Sequence, residues 1–218
     1  GQQGGNARDP RVRANVTWSK DSKAFFVQRS DSRKVKELYL VNVLAEPRPT
    51  LVSYRYAMPG EVDVNQQEMW MYVRGETAAR KLPFDKWKDQ RLFSPHWPVD
   101  THERMRVNRR DRLQRNLEFI EYNVATREIK VLLTESVEAA FLESSSARYV
   151  TTGGDFIWMS ERSGWQHLYL YGHDGILKRP LTSGAWRVMG MTDVDSVKRV
   201  VYFNGVGRDA DENPYNNH

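Results

Sequence analysis

The feature that most constrains this chain is a hydrophobic period of two, recurring from one end to the other. "AFFVQR" (Ala24 to Arg29), "ELYLVNV" (Glu37 to Val43), "EMWMYVR" (Glu68 to Arg74) and "NLEFIEYNV" (from Asn116) read as strands. So do "REIKVLLT" (Arg127 to Thr134), "DFIWMS" (Asp155 to Ser160), "HLYLYG" (His167 to Gly172) and "RVVYFNG" (Arg199 to Gly205). They are rich in β-branched and aromatic residues, which suit a pleated, half-buried surface. Turn chemistry separates them: "KDSK" (Lys20 to Lys23), "NVATRE" (Asn123 to Glu128) and "TTGGD" (Thr151 to Asp155). Asp174-Gly175 is the strongest hairpin signal, because it supplies positive φ at low steric cost. Helical pattern is nearly absent, and the prolines of "EPRPT" and "YAMPGE" break any helix there. "ESVEAAFLESSSA" (Glu135 to Ala147) has room for a helical turn or two. Phe84 to Arg104 lacks a period and reads as an irregular connection.

The strands repeat. "ELYLVNVLAEPRPTL", "NLEFIEYNVATREIKVLLT" and "HLYLYGHDGILKRPLT" each run strand, turn, then a closing Leu-Thr or Thr-Leu. Each follows another strand: "VTWSKDSKAFFVQR", an ill-defined one near "MRVNRR", and "DFIWMSER". Leu117 and Leu168, equivalent in two repeats, stand 51 residues apart. A unit of ~40 to 50 residues with four short strands is the size of a propeller blade. The expected fold is therefore all-β, about four blades, with each blade burying its faces against neighbours.

The 218 residues include no apolar run of membrane-spanning length and no cysteine, so disulfides and thiolate metal sites are excluded. Residues 1–12, beginning "GQQGGNARDPR", form a polar, Gly-rich lead without an initiating Met, and residues 13–218 form the domain. This composition points to a fragment of a longer polypeptide. The histidines His96, His102, His167, His173 and His218 make no metal-type pair. Net charge is +5, much of it in "RMRVNRRDRLQR" (Arg104 to Arg115). That run is either a nucleic-acid patch or a solvated strand pair and its turn. It lacks the interleaved aromatics of single-strand binders, and no nucleic-acid partner is expected.

Motifs for chemistry are missing. There is no G-x-S-x-G, Walker A or G-x-G-x-x-G run, and "YVTTGGD" has no helix after it to hold a phosphate. Asn15-Val16-Thr17 fits a glycosylation acceptor, a pattern common by chance. The densest mixture of reactive types is "SERSGWQHLYLYGHDG", where Glu161, Arg162 and His167 could serve a site or a sheet. Its alternation and Asp-Gly turn favour the sheet. Glu161 and Arg162 are then expected to fix a turn, Trp165 to pack between blades, and His167 to start a strand. Trp158, Trp165, Tyr169, Tyr171 and Trp186 fit packing between sheets better than a ligand funnel.

"VTWSKDSK" resembles the W-S-P-D-G-K turn of propeller domains that cap serine peptidases. Asp31 to Glu61, "LPFDKWKDQ" (Leu82 to Gln90), "FIWMSERSGWQHLYLYGHDGILKRPLTSGAW" and "VYFNGVGRDADENPYNNH" resemble, in order, segments of bacterial dipeptidyl peptidases of the dipeptidyl peptidase IV type. The departures fall at turns: Ser163 for the family's Asp, Ala185 and Arg187 beside Trp186, and Asp209 for Glu. The resemblance implies the second half of an eight-bladed N-terminal propeller covering a C-terminal α/β-hydrolase domain. That domain, beginning after His218, would carry the Ser-Asp-His triad.

The implied substrates are peptides, cut to release dipeptides after Pro or Ala, in the periplasm or outside the cell. The family's amine-binding W-V-Y-E-E-E motif does not occur, so no such role falls on Glu138 or Glu143. No catalytic, cofactor-binding or metal-ligating residue is assigned to this chain, and no cofactor is expected. Open sheet faces, where neighbouring blades would pack, favour a homo-oligomer. The alternative reading is a non-catalytic propeller serving as an interaction platform.

Overall fold

A computed structural model describes residues 14–143, 147–151, 153–209, 211 and 213. Expectations for the lead, 1–12, and for His218 lie outside the described residues. Sixteen strands and no helix occur among the described residues. The first sheet joins β1 (Val16–Trp18), β2 (Ala24–Asp31), β5 (Gln66–Val73) and β6 (Arg80–Lys81). Between β2 and β5 the chain leaves the sheet as a separate hairpin of β3 (Glu37–Asn42) and β4 (Thr50–Arg55). The second sheet is β7 (Arg91–His96), β8 (Arg104–Arg110), β9 (Asn116–Asn123) and β10 (Ile129–Ser136). The third is β11 (Arg148–Tyr149), β12 (Phe156–Ser160), β13 (His167–Tyr171) and β14 (Leu177–Pro180). A fourth contains β15 (Arg187–Asp195) and β16 (Val200–Val206). All pairings are antiparallel between neighbours. Three full propeller blades and two strands of another result.

The alternation sorts side chains onto the seams between blades. Phe26, Met69 and Met71 of the first sheet meet Met105, Val107, Ile120 and Tyr122 of the second. Leu117, Phe119 and Leu133 meet Phe156, Trp158, Tyr169 and Tyr171 at the next seam. Ile157 and Leu168 meet Val188 at the third. Asp174-Gly175 turns the chain as expected. Gly175, at φ +86°, lies so close to the Leu132 backbone that a Cβ would fall 2.2 Å from its carbonyl oxygen. In the β1–β2 turn Ser19 Oγ accepts from the Ala24 amide at 3.1 Å and bonds Asp21 at 2.6 Å, while Ser22 takes φ 57°.

The structure corrects five expectations. The first repeat was misaligned: "ELYLVNVLAEPRPTL" is the excursion β3–β4, and the strand that completes the blade is "QQEMWMYV". Phe84 to Arg104 contains β7, whose period is broken by a register shift between Phe93 and His96. Glu135 to Glu143 forms no helix, because Glu135 and Ser136 still pair with Leu117 and Asn116. Trp165 is 47% exposed and does not pack between blades, whereas Trp158 is fully buried and does. The strand part of the arginine run is not solvated, with Arg106, Arg109 and Arg110 0%, 7% and 5% exposed, although Arg112 and Arg115 of its turn are exposed as expected.

Candidate functional site

In blades of this topology the connections divide between two ends. Turns joining the first to second and third to fourth strands share one end. The second-to-third turns and the links between blades share the other. At the first end, the Nζ of Lys20 bonds Asp100 at 2.6 Å and His102 Nδ1 bonds Asp21 at 2.7 Å. At the second end, Arg112 donates to the Glu61 carbonyl at 2.8 Å and pairs with Asp89 at 3.4 Å.

The first end carries short turns. Ser19, Asp21 and His102 there resemble a catalytic triad in membership, but not in order. Both Ser19 and His102 bind Asp21, and buried Ser19 is engaged with Ala24. Hydrogen bonds from Ser19 and His102 outweigh burial and hold the Asp21 carboxyl well below the usual range. The cluster is a latch between blades.

The second end carries the hairpin and the longer links, 82–90 and the described part, 137–143, of the connection from β10 to β11. Clefts at the seams between complete blades open here. A groove of about 870 Å³ runs between Gln66–Glu68 of β5 and the 85–89 segment, with Arg33, Lys34 and Asp63 on its rim. A smaller cleft of about 250 Å³ continues it past Lys86, Trp87 and Gln90. Gln90 builds this wall: its amide donates to the Phe84 carbonyl at 2.7 Å and its Oε1 accepts from the Lys86 and Trp87 amides. Arg55 braces the hairpin base by donating to the Ser32 and Val35 carbonyls at 2.8 and 3.3 Å.

Beneath this end lie two of the buried arginines, Arg109 and Arg110. Arg109 pairs with Glu118 at 2.7 Å, and Lys86 pairs with the same carboxylate. Although burial opposes it, these two cations hold Glu118 below the usual carboxylate value. Arg106, nearer the first end, faces the opposite seam, bonding Glu121 at 2.7 Å, the Tyr149 hydroxyl at 3.0 Å and the His173 carbonyl at 2.8 Å. The sequence signal for this burial was the Glu at 118 and 121 of β9, the register partners of Arg109 and Arg106.

The sequence candidates separate. His167 is 1% exposed and satisfied, with Thr182 Oγ1 and the Gly184 carbonyl each at 3.0 Å. It starts β13 as expected. Arg162 fixes its turn through Ser160 Oγ and reaches Glu135 at 2.5 Å. The Glu161 carboxylate reaches Arg187 at 3.9 Å, while its carbonyl closes the turn by accepting from the Gly164 amide at 2.8 Å. Glu143 pairs with the same arginine at 3.7 Å and is otherwise exposed. None of these combines a nucleophile with a base.

Comparison with known proteins agrees with this architecture. A protein named "Probable dipeptidyl peptidase 4" from Emericella nidulans is 26% identical over 172 residues, 73% of this chain and 22% of its own length. Dipeptidyl peptidase 4 of Trichophyton rubrum is 28% identical over 111 residues, 49% of this chain and 14% of that one. The chain thus spans about a fifth or less of these curated relatives. The crystal structure of Porphyromonas gingivalis dipeptidyl peptidase 4 superposes with TM-score 0.74 at 23% identity, over 88% of this chain and 27% of that one. Residues 11–218 match the dipeptidyl peptidase IV (DPP IV) N-terminal region, and the chain belongs to that family.

Proposed function

We propose that residues 13–218 form part of the propeller of a serine-type dipeptidyl peptidase. In this reading the propeller gates and orients peptides for a Ser-Asp-His triad in a C-terminal α/β-hydrolase domain of the longer protein. The supporting observation is the asymmetry of the two ends, with the longer links and the clefts at the blade seams on one of them. Loops gathered at one end of a rigid scaffold are the usual place for recognition. The propeller's contribution is orientation and exclusion of folded protein, not bond-making. The test is hydrolysis of Gly-Pro and Ala-Pro anilides. The longer protein should turn them over and this 218-residue chain should not. Turnover by the chain alone contradicts the proposal.

A second reading, an interaction platform that self-associates, draws on β3–β4. Tyr39, Leu40, Val41, Val43, Leu44, Leu51 and Val52 of this hairpin are exposed. A lone two-stranded ribbon is marginal in water, and such a surface calls for cover by a second copy. The same assay separates the two readings: a longer protein that leaves Gly-Pro and Ala-Pro anilides intact favours the non-catalytic platform.

A further inference from the structure

We infer that the free outer edge of β5 at Gln66–Glu68 is a β-augmentation site for an extended oligopeptide lying in the 870 Å³ groove. The inference rests on the peptide-handling reading above and gives it a location. Its basis is the hydrogen-bond phase of β5. Arg74 N donates to Lys23 O, so even-numbered residues of this strand turn their backbone groups toward β2. Leu82 N donates to Met69 O, and Glu76 N to Val73 O, so odd-numbered residues turn theirs outward. On that outer side β6 covers only Trp70 and Met71. The chain then departs through Leu82 toward Phe84.

Gln67 is thereby left with its N–H and C=O directed outward, beyond the reach of β6. Its side chain is already engaged, accepting from the Leu92 amide at 2.7 Å, and so does not fold back to satisfy them. An added strand would take both groups in the geometry of a sheet ladder, which is how extended peptides join an open edge. The opposite wall, 85–89, sets the width of the groove. Its volume falls in the range of ligand clefts.

Charge selects the peptide. Most groove carboxylates already have cations: Asp31 has Arg33, Asp85 and Glu68 share Lys81, and Asp89 has Arg112. Lys34 and Lys88 line the groove without an ion-pair partner among the described residues, and so does one carboxylate, Asp63. Two free ammonium groups against one free carboxylate leave a single positive charge in excess, which favours a peptide with one acidic side chain or a C-terminal carboxylate on the part that leaves the edge.

The test uses the 218-residue chain, isotopically labelled, and the peptide Ala-Pro-Thr-Val-Thr-Val-Glu with free termini. Two isomers of the probe carry backbone N-methyl groups on alternate residues, one set on each edge. The Gln67 amide should exchange at least about tenfold more slowly with saturating peptide. One N-methyl isomer should lose about tenfold or more in affinity while the other keeps it, since only one edge faces β5. Absence of binding at millimolar peptide, binding without protection of Gln67, or equal affinity of both isomers would overturn the inference. Protection of Gln67 that appears without peptide and rises with protein concentration would assign the edge to a second copy, overturning it as well. Peptidase activity of the longer protein is a separate readout. If it is present while Gln67 stays unprotected, this inference fails and the proposed function stands.

Discussion

The hairpin β3–β4 and the strand pair β8–β9 invert the usual relation between hydropathy and burial. "ELYLVN" is among the most apolar strands in the chain, yet five of its six residues are exposed, and all six residues of β4 are exposed. "RMRVNRR" is the most charged strand, yet six of its seven residues are buried. The difference lies in partners. Each inward arginine of β8 finds a carboxylate, hydroxyl or carbonyl at hydrogen-bond distance, which offsets its desolvation. Facing aromatic rings cover the guanidinium of Arg106: Phe119, Tyr149 and Phe156 lie within 6 Å of it. The hairpin has its own ladder and, among the described residues, no sheet packed across from it.

The largest effect should come from breaking the buried strand. Arg106→Ala leaves Glu121 and Tyr149 without their donor and should cost about 3–5 kcal/mol in urea unfolding. A cost under about 1 kcal/mol would show that β8 is held by its ladder alone. Trp158→Ala removes the ring stacked on Phe119 and should cost a comparable ~3–5 kcal/mol.

The same seam carries a pH dependence. His96 Nδ1 must donate to the Ser94 carbonyl, so Nε2 accepts from the Tyr149 hydroxyl at 2.8 Å. Burial, with the nearby Arg106 charge adding to it, lowers the His96 pKa below its ordinary value. The unfolded chain then binds a proton that the folded chain refuses. Stability from this site is complete above the ordinary histidine value of about 6.5 and declines as pH falls below it. Urea midpoints at pH 7.5 and 5.0 should differ in that sense, and His96→Asn should flatten the difference.

Substitutions on the hairpin should behave oppositely. Replacing Leu40, Val41 and Leu51 together by Thr should leave the unfolding midpoint nearly unchanged, within about 0.5 kcal/mol. Association measured by light scattering should be lost. Loss of stability without loss of association would place the hairpin in the core of its own chain. The smallest effect is expected from Trp165→Ala, within about 0.5 kcal/mol, because half of that ring already meets solvent. Its contrast with Trp158 distinguishes the two tryptophans of neighbouring turns and strands.

Much of the fold was legible because period two and turn chemistry are local. "DFIWMS", "HLYLYG" and the Asp-Gly turn fall within a residue or two of their observed places. What was hidden is set by distant partners. The alternation of "ELYLV" is the same whether a strand joins a blade or leaves it, and only the pairing of β2 with β5 decides. The burial of Arg106 depends on Tyr149 and His173, 43 and 67 residues away. The open edge at Gln67 is a property of where β6 stops, and no residue type marks it.

The central claim is that the end bearing the hairpin and the longer links looks onto the catalytic part of a longer protein. Hydrogen exchange compared between this chain and that protein tests it most directly. The account predicts protection in the longer protein at 82–90, 111–115, 137–143 and 161–166, with the turns at 19–23, 97–103, 124–128 and 172–176 unchanged. Protection confined to the second set would contradict it.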